Sequence, residues 1–193
     1  MVPKRIEICG GIASGKTTLA RLLEQNGYTA VYERFEDNPF LKDFYRDEKY
    51  DNAFETEIAF TLLHYNQIRL KQQDSLVVSD YSLLQDLSYG MANLSKEEQL
   101  VYQNIYDFLS SKMSSVDLII YLKCSVDCLL KRIRERDRDM ELTIGQEYLQ
   151  KTIGALEQCI GKAEHVLVID SEKMDFTGPD QMAVLKLISD AMG

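Results

Sequence analysis

One stretch near the amino terminus decides the fold: Gly10-Gly11-Ile12-Ala13-Ser14-Gly15-Lys16-Thr17. Its glycines allow backbone N–H groups to turn inward around phosphates, and the amino end of the helix that follows adds a positive dipole. We expect phosphate contacts along Gly10–Thr18, with Lys16 reaching the β- and γ-phosphates and Thr17 binding Mg²⁺. The stretch predicts a phosphate-binding loop for a nucleoside triphosphate, with ATP as the phosphate donor.

Outward from this loop, short apolar segments rich in β-formers alternate with longer segments of helical periodicity. The predicted strands are 5–9, 28–33, 76–79, 117–122 and 165–170, and the predicted helices are 16–25, 53–72, 96–112, 125–136, 145–161 and 180–191. This alternation predicts an α/β P-loop fold in three layers, with a five-stranded parallel sheet and helices on both faces. Because no linker or repeat interrupts the chain, residues 1–193 are expected to form one domain.

Composition limits the partners that the chain can have. The net charge is −9, so nucleic acid, which binds basic surfaces, is not an expected partner. No apolar run approaches the ~18 residues of a membrane span, so no membrane partner is expected. Four cysteines without a Cys-x-x-Cys pair predict reduced thiols in a cytosolic protein and no zinc site.

Two acidic residues end predicted strands at the sheet edge that carries the loop. Asp80 follows the third strand and is predicted to hold Mg²⁺ directly or through water, the alternative being an N-cap for the next helix. Glu33 ends the second strand, where a carboxylate can accept the proton of an attacking hydroxyl. Glu36 and Asp37 are nearby alternatives for that role.

Three arginines, Arg132, Arg136 and Arg138, follow the fourth predicted strand. Planar guanidinium groups suit the charge that develops on a transferred phosphoryl group, and a mobile segment can bring them in while excluding water. The pattern predicts an arginine lid at about residues 134–145. The alternative is a solvated helix whose charges pair four residues apart.

Together these motifs resemble the deoxynucleoside kinases in their short bacterial form, over nearly the whole chain. Beyond the loop, the resemblance rests on Glu36-Asp37-Asn38-Pro39-Phe40-Leu41, Asp80-x-Ser82 with Asp86, and Arg132-Ile133-x-x-Arg136-x-Arg138-x-x-Glu141. It implies transfer of a phosphoryl group from a nucleoside triphosphate to the 5′-hydroxyl of a deoxynucleoside, and a homodimer. It also implies that Glu33 is the general base, that Asp80 lies near Mg²⁺, and that Tyr45 and Glu141 hold the sugar 3′-hydroxyl.

The acceptor side departs from the family pattern. Where the family usually has a base-binding Gln and two arginines, this chain has Glu57, His64 and Tyr81. An ionised carboxylate only accepts hydrogen bonds, so Glu57 favours the adjacent N–H donors of guanine. Alternatively, Glu57 pairs with His64 and Asp86 in a rebuilt network, and the pocket binds something else. Arg34 is a candidate to replace the cation lost at Tyr81.

Two other functions stay open at this stage. Residues 79–90 have some likeness to thymidylate kinases, which predicts a nucleoside monophosphate as the acceptor. That acceptor would need an extra arginine, for which Arg34, Arg46 and Arg69 are the candidates. The replaced residues of the base site also allow a non-catalytic nucleotide-binding regulator of the same fold.

Overall fold

The computed structural model describes residues 4–46 and 52–193. The strands are β1 (Lys4–Gly10), β2 (Thr29–Val31), β3 (Leu76–Ser79), β4 (Leu118–Lys123) and β5 (Val166–Asp170). The helices are α1 (Lys16–Gln25), α2 (Leu41–Phe44), α3 (Ala53–Lys71), α4 (Leu83–Asn93), α5 (Lys96–Ser110), α6 (Val126–Arg136), α7 (Gln146–Ile160) and α8 (Gln181–Met192). Two 3₁₀ turns lie at Phe35–Asp37 and Asp139–Glu141.

The strands form one parallel sheet in the order β2-β3-β1-β4-β5. The central strand β1 pairs with β3 on one side and with β4 on the other, so the chain reverses its direction of travel across the sheet at β1. In sheets of this kind ligands bind beyond the carboxyl end of the strands at such a reversal, which here is where the Gly10–Thr17 loop lies. The predicted five-stranded parallel α/β fold is confirmed.

The two faces of the sheet are covered by different helices. On one face, Ile6 and Ile8 of β1 pack with residues of α1 and α8. On the other, Cys9 of β1 and Tyr121 of β4 pack with Leu156 of α7. Because successive strand residues point to opposite faces, this alternation builds the predicted three layers. Among the described residues, no helix is both long enough and apolar enough to cross a membrane.

Helices α2 and α4 are absent from the sequence-based prediction. In α4, Leu83, Leu87 and Met91 recur at helical spacing, but the buried face also carries polar residues and a glycine, namely Gln85, Asp86, Ser88 and Gly90, which obscure that repeat. Gly90 is required by its neighbour, because a Cβ there would lie 2.5 Å from the ring of Tyr102 on α5. The helix therefore brings buried polar side chains next to α3.

The other elements follow the prediction with small shifts at their ends. Helix α1 begins and ends where it was expected, and Ser95 with Glu98 forms the expected capping box at the start of α5. Strand β2 is shorter than predicted, because it spans only Thr29–Val31, and Glu33 lies in the segment that follows it. The assignment of residues 1–193 to a single domain stays a prediction.

Candidate active site

A cavity of about 490 Å³ opens at the carboxyl ends of the strands. This volume is within the range of small-molecule sites. Residues 12–18 line it from one side, and side chains of α3, α4, α6, α7 and the segments after β2 and α6 line the rest. The cavity therefore has an end built on the phosphate loop and an opposite end built on helices, which we call the loop end and the helix end.

The phosphate loop depends on glycine at positions where a side chain has no room. A Cβ on Gly10, where φ is +151°, would lie 2.8 Å from the carbonyl oxygen of Leu122, and one on Gly11 would lie 2.5 Å from Leu129 Cδ1. Neither glycine lines the cavity, so both have a conformational role, and their contact with ATP stays a prediction. Residues 12–18 line the cavity, and their contact with ATP stays a prediction too.

Lys16 lies inside the loop, where its Nζ donates hydrogen bonds to the carbonyl oxygens of Gly10 (2.9 Å) and Gly11 (3.2 Å). Burial lowers the pKa of this ammonium, while the carboxylates of Glu33 and Asp80 oppose that shift. The loop thus places one cation at the amino end of α1, between the loop backbone and the two acidic residues. That is the position from which a lysine can contact terminal phosphates.

Asp80 connects the loop with the segment that follows β2. Its Oδ2 accepts a hydrogen bond from Thr17 Oγ1, and its Oδ1 accepts one from the backbone N–H of Glu33, both at 2.6 Å. It does not cap α4, because the Ser82 side chain accepts the bond from the N–H of Leu84. The Thr17 hydroxyl and the Asp80 carboxylate are adjacent hard oxygen ligands, which fits Mg²⁺.

Glu33, His64 and Asp86 form a line of acidic and basic side chains, in which His64 and Asp86 are buried and Glu33 is partly exposed. His64 Nδ1 lies 3.0 Å and 2.9 Å from the two carboxylate oxygens of Asp86, and His64 Nε2 lies 3.4 Å from Glu33 Oε1. Burial opposes the charged ring, but Asp86 and Glu33 outweigh it and raise the pKa of His64 to about 10. Burial also raises the pKa of Glu33, but His64 and Lys16 outweigh it and hold that pKa below its usual range. Burial also raises the pKa of Asp86, while His64 opposes that shift.

Tyr81 does not line the cavity, and its contact with substrate stays a prediction. Its ring stacks on His64, with centroids 3.9 Å apart and planes at 15°, and its side chain is 1 % exposed. The aromatic ring is accommodated in an apolar cluster with Val31 and Ile68 instead of facing the polar cavity. Arg34 also lies outside the cavity lining, so the cation nearest to Glu33 on the helix side is His64.

The three lid arginines all line the cavity. Arg132 donates to the backbone carbonyl oxygens of Ser14 (3.3 Å) and Ser171 (2.6 Å), which fastens α6 to the phosphate loop. Arg136 and Arg138 both form ion pairs with Glu141. The alternative of a solvated helix with pairs four residues apart does not hold for these three side chains, since their partners lie on other segments.

The helix end of the cavity carries Glu57 among aromatic side chains, namely Phe44, Tyr45, Phe60, Tyr89 and Tyr148. The Glu57 side chain is 3 % exposed, and its Oε1 accepts a hydrogen bond from Asn93 Nδ2 at 2.8 Å. Burial raises the pKa of Glu57 to about 8. The predicted preference for guanine requires an ionised Glu57 carboxylate, whereas this raised pKa favours the protonated carboxyl at neutral pH.

Several functional neighbours lie on α4, which was not predicted. Gln85 lines the cavity and its Oε1 accepts a hydrogen bond from the N–H of Gly10 (2.9 Å), while Asn93 holds Glu57. Of the network proposed from sequence, the His64–Asp86 pair is present, but Glu57 is held by Asn93 instead. The sequence carried one signal for these site residues: four polar residues stand among apolar ones between positions 85 and 93, namely Gln85, Asp86, Ser88 and Asn93.

Fold and site together define a P-loop phosphotransferase. Residues 6–191 match the sequence profile of the family described as deoxynucleoside kinase. The chain belongs to the deoxynucleoside kinase family and is a nucleoside kinase that phosphorylates deoxynucleosides.

The chain is similar to characterised members along most of its length. A deoxyguanosine kinase of Bacillus subtilis is 33 % identical over 183 residues, covering 89 % of this chain and 88 % of the relative. A deoxyadenosine kinase of Dictyostelium discoideum is 31 % identical over 191 residues, covering 92 % and 76 %. The solved structure of the M. mycoides deoxyadenosine kinase, with the products dCMP and a flexible dCDP bound, is 25 % identical with a TM-score of 0.83 and covers 96 % of this chain and 99 % of that one.

Proposed function

We propose that this chain transfers the γ-phosphoryl group of ATP to the 5′-hydroxyl of a purine deoxynucleoside, with Glu33 as the general base. The observation that carries the proposal is that Glu33, Lys16 and the lid arginines line one cavity. A carboxylate and a set of phosphate-binding cations that share a cavity can act on the two partners of one transfer reaction.

Each side chain has a distinct task in this reaction. Glu33 accepts the proton of the 5′-hydroxyl while the oxygen of that hydroxyl forms a bond to the γ-phosphorus. The bond between the γ-phosphorus and the β–γ bridging oxygen breaks at the same time, and ADP is released. Lys16, Arg132, Arg136 and Arg138 stabilise the charge on the transferred group. The imidazolium of His64 holds the Glu33 carboxylate in place from the side opposite the loop.

Mg²⁺ would be held by the Thr17 hydroxyl and the Asp80 carboxylate, directly or through water. When bound, it supplies positive charge for the β- and γ-phosphates. The hydrogen bond that Asp80 accepts from the N–H of Glu33 couples this site to the base, because a shift of Asp80 also shifts the backbone of Glu33.

Support for a purine deoxynucleoside comes from the helix end and from the relatives. Aromatic side chains there provide flat apolar surfaces for a base, and Glu57 and Asn93 provide polar atoms beside them. Tyr45 and Glu141 line the cavity and are proposed to hold the sugar 3′-hydroxyl. The two curated relatives are named for deoxyguanosine and deoxyadenosine.

A monophosphate acceptor is not favoured. None of its candidate arginines, Arg34, Arg46 and Arg69, is among the residues that line the cavity. Arg69 instead donates to the neighbouring side chain of Asn66 on the exposed side of α3. A non-catalytic regulator is not favoured either, because base, loop cation and lid arginines are all present in the cavity.

The test is a panel of deoxynucleosides, ribonucleosides and nucleoside monophosphates offered with ATP and Mg²⁺, with products identified by mass. We expect monophosphates of the purine deoxynucleosides, and none in reactions from which Mg²⁺ is removed. The Glu33→Gln variant, folded by circular dichroism, is the control for contaminating kinases. Products made only from monophosphates, or from no nucleoside at all, would refute the proposal.

We also propose that the protein is a cytosolic homodimer. Helices α3 and α5 pack together and each carries exposed apolar side chains, Leu62 and Leu70 on α3 and Leu100 and Phe108 on α5. Exposed apolar surface of this kind is typical of an interface. The four cysteines are free thiols, as is usual in a reducing compartment. Sedimentation of the wild type and of Phe108→Glu tests the dimer, which the variant is expected to weaken.

A further inference from the structure

We infer that Glu57 selects the purine through its protonation state. Protonated, it pairs with a base edge that presents an acceptor beside a donor, as adenine does. Ionised, it pairs with an edge that presents two adjacent donors, as guanine does. The inference rests on the proposed function, and it replaces a fixed preference for one purine by a preference that pH sets.

The hydrogen bond from Asn93 fixes where the proton of Glu57 lies. Because Oε1 accepts from Asn93 Nδ2, a proton on Oε1 would face a donor, and the protonated carboxyl therefore carries its hydrogen on Oε2. In that form the side chain offers one O–H donor and one carbonyl-type acceptor with a free lone pair. This is the donor–acceptor pair that an amide side chain presents.

The surroundings of Glu57 leave both protonation states accessible. Among residues 4–46 and 52–193, no lysine, arginine or histidine forms an ion pair with it, so no fixed cation holds it ionised. The titratable and charged groups that face it are His64 on α3, Asp86 and Tyr89 on α4, Tyr102 on α5, Tyr148 on α7, and Tyr45 and Glu33 on the segments across the cavity.

These neighbours act on Glu57 in opposite directions. Burial is the largest effect and raises its pKa, Asp86 adds to the rise, and Asn93 and His64 reduce it, which leaves the pKa near about 8. Burial keeps the pKa of every facing tyrosine above its ordinary range, and the pKa of His64 is about 10. The facing tyrosines and His64 therefore keep their charge near neutral pH, whereas Glu57 changes its charge there.

The ratio of the kcat/KM values for two substrates reports on the ionisation of Glu57. The ratio of kcat/KM for deoxyguanosine to that for deoxyadenosine cancels every ionisation that affects both, including those of the base and of ATP. The ratio of ionised to protonated Glu57 rises about tenfold for each pH unit, whatever the pKa. Adenine pairs only with the protonated form, because an ionised carboxylate has no donor for its N1. Guanine pairs with the protonated form through O6 and N1–H, and with the ionised form through N1–H and its exocyclic amine. The ratio of specificities therefore rises with pH once Glu57 ionises, with a slope that approaches tenfold per unit.

The first experiment measures that ratio between about pH 6.5 and about pH 8.5. We expect the wild type to shift toward deoxyguanosine by up to about tenfold per unit. The matched variant Glu57→Gln keeps the volume and the acceptor for Asn93 but cannot ionise, so its ratio is expected to stay constant with pH. A wild-type ratio that stays flat, or activity with one purine alone at every pH, would overturn the inference.

The second experiment follows protons and needs no turnover. In weak buffer near neutral pH, deoxyguanosine binding is expected to release more protons per site than deoxyadenosine binding, which is expected to release none, as read with an indicator dye. Glu57→Gln is expected to release none with either. Equal release for both purines, or absence of binding, would overturn the inference. Failure of the proposed function looks different, because then no deoxynucleoside is phosphorylated at any pH.

Discussion

The two ends of the cavity are built in different ways. The loop end comes mostly from one continuous segment, residues 12–18, and its chemistry is carried by backbone groups and by one lysine. The helix end is assembled from α3, α4 and α7, and its side chains are buried and titratable. The loop end can be specified by a local motif, whereas at the helix end the charge of each side chain depends on its neighbours.

The largest effect on activity is expected at Glu33, which lies where the loop end and the helix end of the cavity meet. Glu33→Gln removes the base but keeps the side-chain volume, so kcat is expected to fall by about 10²–10⁴-fold, measured by product formation at saturating substrates. Glu36→Gln, an exposed carboxylate three residues away, is the control and should retain wild-type activity. A Glu33→Gln enzyme with near-normal turnover would contradict the assignment.

The loop end is next. Lys16→Ala removes the cation inside the phosphate loop, and kcat is expected to fall by about 10²–10³-fold because charge on the transferred group loses a donor. The control is Lys131→Ala, an exposed lysine on α6 that pairs with Glu135. A loss confined to the KM for ATP, with kcat intact, would show that Lys16 only binds ATP.

His64 tests the charge line of the helix end through stability. Its pKa of about 10 in the folded protein exceeds its ordinary value, so its charge stabilises the fold fully below about pH 6.5 and that contribution is lost as pH rises through 10. Urea unfolding should show the wild type losing more stability than His64→Gln between about pH 7 and about pH 9.5. Parallel pH dependences would contradict a charged His64.

Activity should follow the same residue. Because His64 holds the Glu33 carboxylate, His64→Gln is expected to lower kcat by about tenfold while leaving the KM for ATP unchanged. An unchanged kcat would mean that His64 has only a structural role.

Glu141 has two candidate roles: it forms ion pairs with two lid arginines, and it is proposed to hold the sugar. A variant at this position distinguishes the two roles. Glu141→Gln is expected to raise the KM for the deoxynucleoside about tenfold, the loss of one charge-assisted hydrogen bond. For a substrate without the 3′-hydroxyl, the KM of the wild type should rise by the same factor. The KM of the variant should be the same for substrates with and without that hydroxyl. If kcat and the KM for ATP change instead, Glu141 serves Arg136 and Arg138 alone.

Tyr81 gives the smallest expected effect. Tyr81→Phe keeps the ring that stacks on His64 and loses only a long hydrogen bond, 3.5 Å, to the His64 carbonyl oxygen. Steady-state kinetics should therefore change less than about twofold. A large change in the KM for the nucleoside would instead support the direct substrate contact predicted from the sequence.

The features of the loop end could be predicted from the sequence more fully than those of the helix end. The loop, α1 and the sheet edge with Asp80 and Glu33 follow from glycine spacing and from apolar periodicity, which are local properties. Helix α4 was not predicted because polar residues and a glycine on its buried face obscure its apolar repeat. The protonation of Glu57 and the burial of Tyr81 could not be predicted, because both depend on neighbours that are distant in the sequence.

Gly90 has a consequence for the evolution of the pocket. A glycine within a helix costs about 1 kcal/mol relative to alanine, yet a single methyl group here would meet the Tyr102 ring at 2.5 Å. The missing methyl lets α4 lie against the Tyr102 ring of α5, and the hydroxyl of that ring lies 2.6 Å from Thr61 Oγ1 on α3. Variation at this one position would act as a spacer, changing the width available to the base without altering any residue that touches it.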